Sequence, residues 1–436
     1  MAPLHDQPVE ILEAIAGYID NADDILAFAL ASKFIASVVS PRHTQLRHIR
    51  CNVETICLWK AFSRDLSLAR NVRILEIGDG CPYRLPGFIL PDHTDCRRSH
   101  GMTQREAELE LIIALKNLAH LTFFKWRGHP NVVIAKKEPD GEDVWTSLTQ
   151  CRNLKEIDAL ESFMDNPPYP IWGGAIFRLS NLTSFEYWTA VDGIAPDLYG
   201  IDTLGIMLRE NCPKLQKLYV GFSCQGEDTV ANVERSIMSG RWPDLHSLHL
   251  EWAACSPSAA VSFLAAHPQI TDLSIDEFIG STATAEGLPL DCPPELLPNI
   301  KTLECTTSQA ADILSSASSQ PRPLEHLSLI DLPFSSRQAE FLVVLTPLMS
   351  IRTLQFRYTF STEAIARVAE AAPWLPRLQI GNSSWLLSSC RDPQTKKRWQ
   401  KLLEPFFHLE ALDSAEGDVL DAIRGPLPST DCGGPC

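Results

Sequence analysis

Apolar residues recur along this chain in one short frame, apolar-x-x-apolar-x-apolar. Its last positions alternate as a half-buried strand does. The frame reads Val72/Leu75/Ile77, Leu118/Leu121/Phe123, Leu154/Ile157/Ala159, Leu182/Phe185/Tyr187, Leu215/Leu218/Val220 and Leu245/Leu248/Leu250. It continues as Ile270/Leu273/Ile275, Ile300/Leu303/Cys305, Leu324/Leu327/Leu329, Ile351/Leu354/Phe356, Leu375/Leu378/Ile380 and a worn Leu409/Leu412. Helical spacing fills several gaps between frames, at 103–118, 228–238, 257–266, 335–345 and 362–371. Each predicted strand is too short to stand alone. A repeated strand-plus-helix unit therefore predicts an α/β solenoid, with parallel strands on a concave face and one continuous core beneath them.

Ahead of the repeats, Ile11, Leu12, Ile15 and Ile19 fall at helical spacing. Residues 21–24 interrupt them with turn and N-cap types, and Ile25, Leu26, Phe28, Ala29 and Leu30 come next. Pro8 is expected in the first helical turn, where a missing N–H costs little. Two such helices make a thin core, so their apolar faces need a partner.

At Pro8-x-Glu10-Ile11-Leu12, Ile15, Tyr18-Ile19, Asp24-Ile25-Leu26, Ala29-Leu30 and Ser32-Lys33-Phe34 this stretch resembles the F-box. That motif docks a protein onto the Skp adaptor of SCF-type ubiquitin ligases. Gln7 and Ala31 stand where the family has Leu and Val, which removes apolar contact. The Leu58-Trp59 helix and the ending Val72-Arg73-Ile74-Leu75-Glu76-Ile77 resemble the region after the F-box in many fungal F-box proteins. The later frames resemble leucine-rich repeats, spaced roughly 24 to 30 residues apart from Leu215 to Leu375. The Asn that comes after the third apolar position in that family is missing; Ala253, Phe278 and Leu332 take its place in three units.

The resemblance implies an F-box over 1–50, an irregular leucine-rich-repeat solenoid over 51–424 with a loop insert at 78–101, and a flexible tail from 425. It implies a non-catalytic substrate receptor. Pro8, Ile11, Leu12, Ile15, Ile19, Ile25, Leu26 and Leu30 would meet the Skp adaptor and, through it, cullin, while the solenoid holds a substrate protein. The alternative is a leucine-rich scaffold outside the ubiquitin system, with its N-terminal helices capping the array.

Composition narrows the partners. The 436 residues carry a net charge of −16. That argues against nucleic acid, whose phosphates need a basic face, and leaves basic proteins open. Residues 1–7 lack the charged start and apolar core of a signal peptide, and no apolar run is long enough to span a bilayer. An intracellular site, cytoplasmic or nuclear, is expected, with the 13 cysteines reduced and mostly buried.

No nucleophile elbow, phosphate-binding loop, dinucleotide fingerprint or His-Glu-x-x-His occurs, so no catalytic residues or cofactor are expected. Cys81, His93, Cys96 and His100 are zinc-ligand types in one loop, yet they lack a Cys-x-x-Cys pair, and no metal is expected. His246 and His249 are read as sharing one strand face.

Strand alternation sends the intervening residues outward in columns. One runs Glu186, Tyr219, His249, Ser274, Glu304; the next runs Trp188, Gly221, Glu251, Asp276. Glu251, Asp276 and Glu304, with Glu186 and His249 and flanked by Trp188 and Tyr219, are the expected site for a basic substrate surface.

Overall fold

The computed structural model describes residues 7–78, 104–127, 143–163, 175–191, 199–222, 233–251, 255–276, 292–315, 321–330, 337–357, 362–381 and 392–423, apart from isolated positions within those spans. Residues 79–101 of the loop insert, with its four zinc-type side chains, the polar insert at 131–142, Ala253, Phe278, Leu332 and the tail from 425 lie outside them. The chain divides into two compact units, 1–225 and 226–436.

The first unit opens with three helices, α1 (Val9–Tyr18), α2 (Ala22–Leu30) and α3 (Lys33–Val39). The apolar spacing predicts two. The third starts where Ser32 accepts a hydrogen bond from the Ile35 N–H at 3.1 Å, just as Asn21 caps α2 by accepting from the Asp23 N–H at 2.7 Å. Pro8 stands one residue ahead of α1, at the N-cap, and its carbonyl accepts from Ile11 and Leu12. Leu12, Ala16, Ile25, Ala29, Ile35 and Val39 form the module's core.

Six strands come next in chain order: β1 (His48–Cys51), β2 (Ile74–Ile77), β3 (Phe123–Arg127), β4 (Glu156–Phe163), β5 (Ser184–Val191) and β6 (Lys217–Phe222). Each pairs in parallel with its successor. The boundary expected at residue 50 falls inside β1. Helices α4 (Ile56–Arg64), α5 (Leu66–Ala69), α6 (Gln104–Leu115), α7 (Val144–Leu148) and α8 (Tyr199–Ile206) lie between strands.

The second unit repeats the design with β7 (Ser247–Glu251), β8 (Asp272–Asp276), β9 (Thr302–Cys305), β10 (His326–Leu329), β11 (Thr353–Phe356), β12 (Arg377–Ile380) and β13 (Ala411–Ser414), all parallel. The short β14 (Gly417–Asp418) closes it antiparallel to β13. Its helices are α9 (Pro257–Ala265), α10 (Thr307–Ser315), α11 (Arg337–Leu345), α12 (Thr362–Ala371) and α13 (Pro393–Leu403).

In both units the periodic apolar residues sit between strands and helices, nearly all of them shielded from solvent. One frame is shifted. The register pairs Phe124 with Leu75 and Ile157, so Leu121, Phe124 and Trp126 face the core of β3, and Phe123 faces out. The run Leu118–Trp126 carries apolar residues in both phases, which hides the right one.

A backbone ladder holds the register. At most described junctions one carbonyl accepts two consecutive N–H groups from the next repeat. Arg47 accepts from Arg73 and Ile74, Arg73 from Thr122 and Phe123, and Thr122 from Lys155 and Glu156. In the second unit Thr271 accepts from Lys301 and Thr302, Lys301 from Glu325 and His326, and Glu325 from Arg352 and Thr353. These groups are satisfied without any asparagine side chain.

Cys51, Cys151, Cys212, Cys255, Cys292 and Cys305 are free thiols. Cys57, on α4, is disulfide-bonded, unlike the reduced state expected for the thiols in general. No described helix is long and apolar enough to cross a membrane.

Candidate functional site

The three-helix module sorts its apolar residues into two sets. Leu12 and Ile25, two of the residues expected at the adaptor contact, are buried in the module's own core. Ile15 and Ile19 are half-buried. Ile11 (47% exposed), Leu26 (52%) and Leu30 (75%) face solvent, joined by Tyr18 and Phe34. Leu26 and Leu30 are four apart and share one helix face, as do Ile11 and the half-buried Ile15. Apolar side chains held this way, at fixed positions on short capped helices, are what a protein partner uses as anchors.

Two buried arginines hold the module to the strands behind it. The Arg47 guanidinium donates to the carbonyls of Ala16 and Ile19, and Arg73 donates to the Gly17 carbonyl at 2.8 Å. These carbonyls end α1, where backbone acceptors lack helical partners and the helix dipole favours positive charge. Arg47 precedes β1 and Arg73 precedes β2, so the sheet itself fixes the module's attitude. Sequence reasoning misses both. The only visible signal is a pair of arginines beside apolar strand positions.

On the first unit's open sheet face, β3 to β6 carry a charged cluster and an aromatic shelf. Asp158 is buried and accepts three N–H groups: two from Arg127 at 2.6 and 2.8 Å and one from Lys125 at 2.7 Å. Glu186 is the strand neighbour of Asp158 and Tyr219. Burial, and then the Asp158 charge, push its carboxyl above the usual range, against the opposing pull of Lys125, Arg127 and Lys217. Trp188 pairs in register with Gly221, and the glycine is there for a reason: a Cβ at 221 would sit 2.1 Å from Trp188 Cδ1. The indole therefore lies down on the sheet. Gly221→Val is expected to lift it and cost about 1–3 kcal/mol in urea denaturation. Trp188→Ala in the same chain should recover most of that loss.

On the second unit's open face, His249, Ser274, Glu304, Ser328 and Gln355 form one register column, and Glu251 lies beside Asp276. Glu304 is not a free carboxylate: Arg357 forms an ion pair with it, and Ser274 Oγ donates to it at 3.1 Å. One of the three expected carboxylates, Glu304, is thus already neutralised within the fold. Ser274 Oγ also lies at hydrogen-bond distance, 3.1 Å, from His249 Nε2. His246 stands before β7, three residues from His249, so the two do not share a strand face.

Burial lowers the His249 pKa to about 4, helped by Arg357 and opposed by Glu251. His267 is lowered too, mainly by burial; its Nε2 accepts the Trp242 N–H at 3.1 Å and its Nδ1–H donates to the Phe263 carbonyl at 2.7 Å. Both imidazoles are neutral in the fold. Their neutral state costs nothing above pH ~6.5, the unfolded value. As pH falls from there towards 4 the unfolded chain takes up protons first, and stability drops. His249→Gln keeps a hydrogen-bonding side chain beside Ser274 without the titration, so its melting temperature should fall less than wild type across that window.

Each unit is a strand-plus-helix solenoid of leucine-rich-repeat type. No protein-family model matches the chain, and no curated protein matches it. Among solved structures it is similar to the Rad7 and Elc1 complex in yeast, at 14% identity over 93% of this chain and 88% of that one, with a TM-score of 0.42. It is also similar to TLR13 bound to ssRNA13, at 14% identity over 73% of this chain and 36% of that one, with a TM-score of 0.31. Likenesses at this level carry no functional argument.

Proposed function

We propose that this chain is the substrate-recognition subunit of an SCF-type ubiquitin ligase. The N-terminal helices hold a Skp-type adaptor and through it cullin, and the open sheet faces hold the substrate. The observation that carries this reading is the division of the F-box-like stretch into a self-sufficient core and a set of solvent-facing apolar side chains, Ile11, Leu26, Leu30 and Phe34. A mere cap would have no use for the second set.

The chain performs no bond chemistry in this reading. It raises the concentration of substrate beside a ubiquitin-charged enzyme. The second unit's open face, with Glu251 on β7, suits a basic partner. The reading is tested by titrating the purified full chain with a purified Skp-type adaptor. Micromolar or tighter binding supports it, and no binding at about 100 µM adaptor, some 5.5 kcal/mol on the affinity scale, sinks it.

A further inference from the structure

A cavity of about 600 Å³ opens in the second unit where β10, β11 and β12 begin. Its origin can be read from three equivalent positions. Pro323, Ser350 and Trp374 each immediately precede a fully buried apolar residue, respectively Leu324, Ile351 and Leu375. The middle one is small. Ser350 turns its hydroxyl inward, donating to the Arg322 carbonyl at 3.4 Å. A recess is left over Ser350, with Ile351 as its floor and Pro323 and Trp374 as its walls. The backbone beneath is rigid, because Arg352 N–H donates to the Glu325 carbonyl at 2.7 Å across adjacent repeats.

Two features narrow the ligand. The first is spacing. The walls stand two strands apart, so at about 4.8 Å per strand they are ~9.6 Å from each other. A polyproline II helix advances ~9.3 Å per three-residue turn. A segment of that form laid across the strand starts meets both walls with the same edge, and one ring drops into the recess between. The second is hydrogen bonding. Trp374 and Arg352, whose side chains carry only N–H donors, line the cavity, and neither side chain has a hydrogen-bond or ion-pair partner among the described residues. A proline-rich backbone offers carbonyl acceptors and almost no donors, which complements such a rim. Glu325, also without a side-chain partner among the described residues, is placed for a basic residue beside the prolines.

We infer that this cavity is a docking site for a proline-rich segment with a flanking basic residue, on a partner protein. It is independent of the adaptor reading, since it lies in the other unit and uses none of the same residues.

The test uses the full chain and a fluorescein-labelled peptide of one arginine followed by eight prolines, read by fluorescence anisotropy. The control is an equally long peptide of one arginine and alternating glycine and serine. The proline peptide is expected to bind in the range of about 10–100 µM, and the control at least about tenfold more weakly, because it must lose more freedom on binding. Ser350→Leu fills the recess from the surface and should weaken the proline peptide at least about tenfold with an unchanged melting temperature. Trp374→Phe keeps a ring and removes the N–H donor, so it should weaken binding by a smaller factor. Equal affinity for the two peptides, no effect of Ser350→Leu, or no binding at about 1 mM, the weak end of the affinity scale, would overturn the assignment.

Discussion

Ile11→Asp, Leu26→Asp and Leu30→Asp together are expected to abolish capture of a Skp-type adaptor while the chain stays folded. All three side chains are solvent-facing in the free protein, so a carboxylate there meets water rather than a core. In a complex the same carboxylates would have to be stripped of water against an apolar surface. Apolar anchors at the centre of an interface are worth about 2 kcal/mol each when removed. Three of them amount to roughly 6 kcal/mol, or about ten-thousandfold in affinity, before any penalty for the new charges. Leu12→Asp is the necessary contrast. Leu12 is fully buried, so that change should melt the module and lose binding by a different route, visible as lost helicity. Undiminished capture by the triple variant would remove the basis for the F-box assignment.

The second large effect concerns attachment. Arg47→Met with Arg73→Met should release α1 to α3 from the sheet. Methionine keeps much of the length and apolar contact but leaves the carbonyls of Ala16, Gly17 and Ile19 without their charged donors. Hydrogen bonds to charged groups contribute about 1.5–3 kcal/mol each, and a buried acceptor without a donor costs a similar amount. Three lost bonds exceed what a six-residue core can spare. Amide exchange is the measurement: protection in α1 to α3 should fall by about a hundredfold or more, equivalent to ~3 kcal/mol of local stability, while strands β7 to β13 keep theirs. Unchanged protection in the helices would mean that apolar packing alone holds the module.

The repeat was legible because its signal is local. Leu75 and Ile77, or Leu327 and Leu329, declare a strand by alternation within a few residues, and their spacing to the next frame declares the stacking. β3 was misplaced for an equally local reason, since apolar residues in both phases leave alternation undecided. Long-range pairings were invisible. Arg47 finds the Ala16 carbonyl 31 residues back, and Arg357 finds Glu304 across 53 residues; neither distance leaves a mark on composition or period. The acidic patch looked stronger in the sequence than it is because a cation two strands away could not be counted against it. Likewise Leu12 and Ile25 match the F-box as well as Ile11 and Leu26 do, and only the packing of a third helix tells which of them point inward.

The ladder of paired N–H groups on single carbonyls bears on how such a protein changes over time. Acceptors in successive repeats lie 24 residues apart between Lys301 and Glu325 and 49 apart between Arg73 and Thr122, yet the bonding is the same. Every amino acid supplies the carbonyl, and every one but proline the N–H. Mutation can therefore erode side-chain identity and lengthen loops almost everywhere without disturbing how one repeat seats on the next. A lineage built on this plan sheds its recognisable motifs long before it loses its shape, so its ancestry outlasts in geometry what it forfeits in spelling.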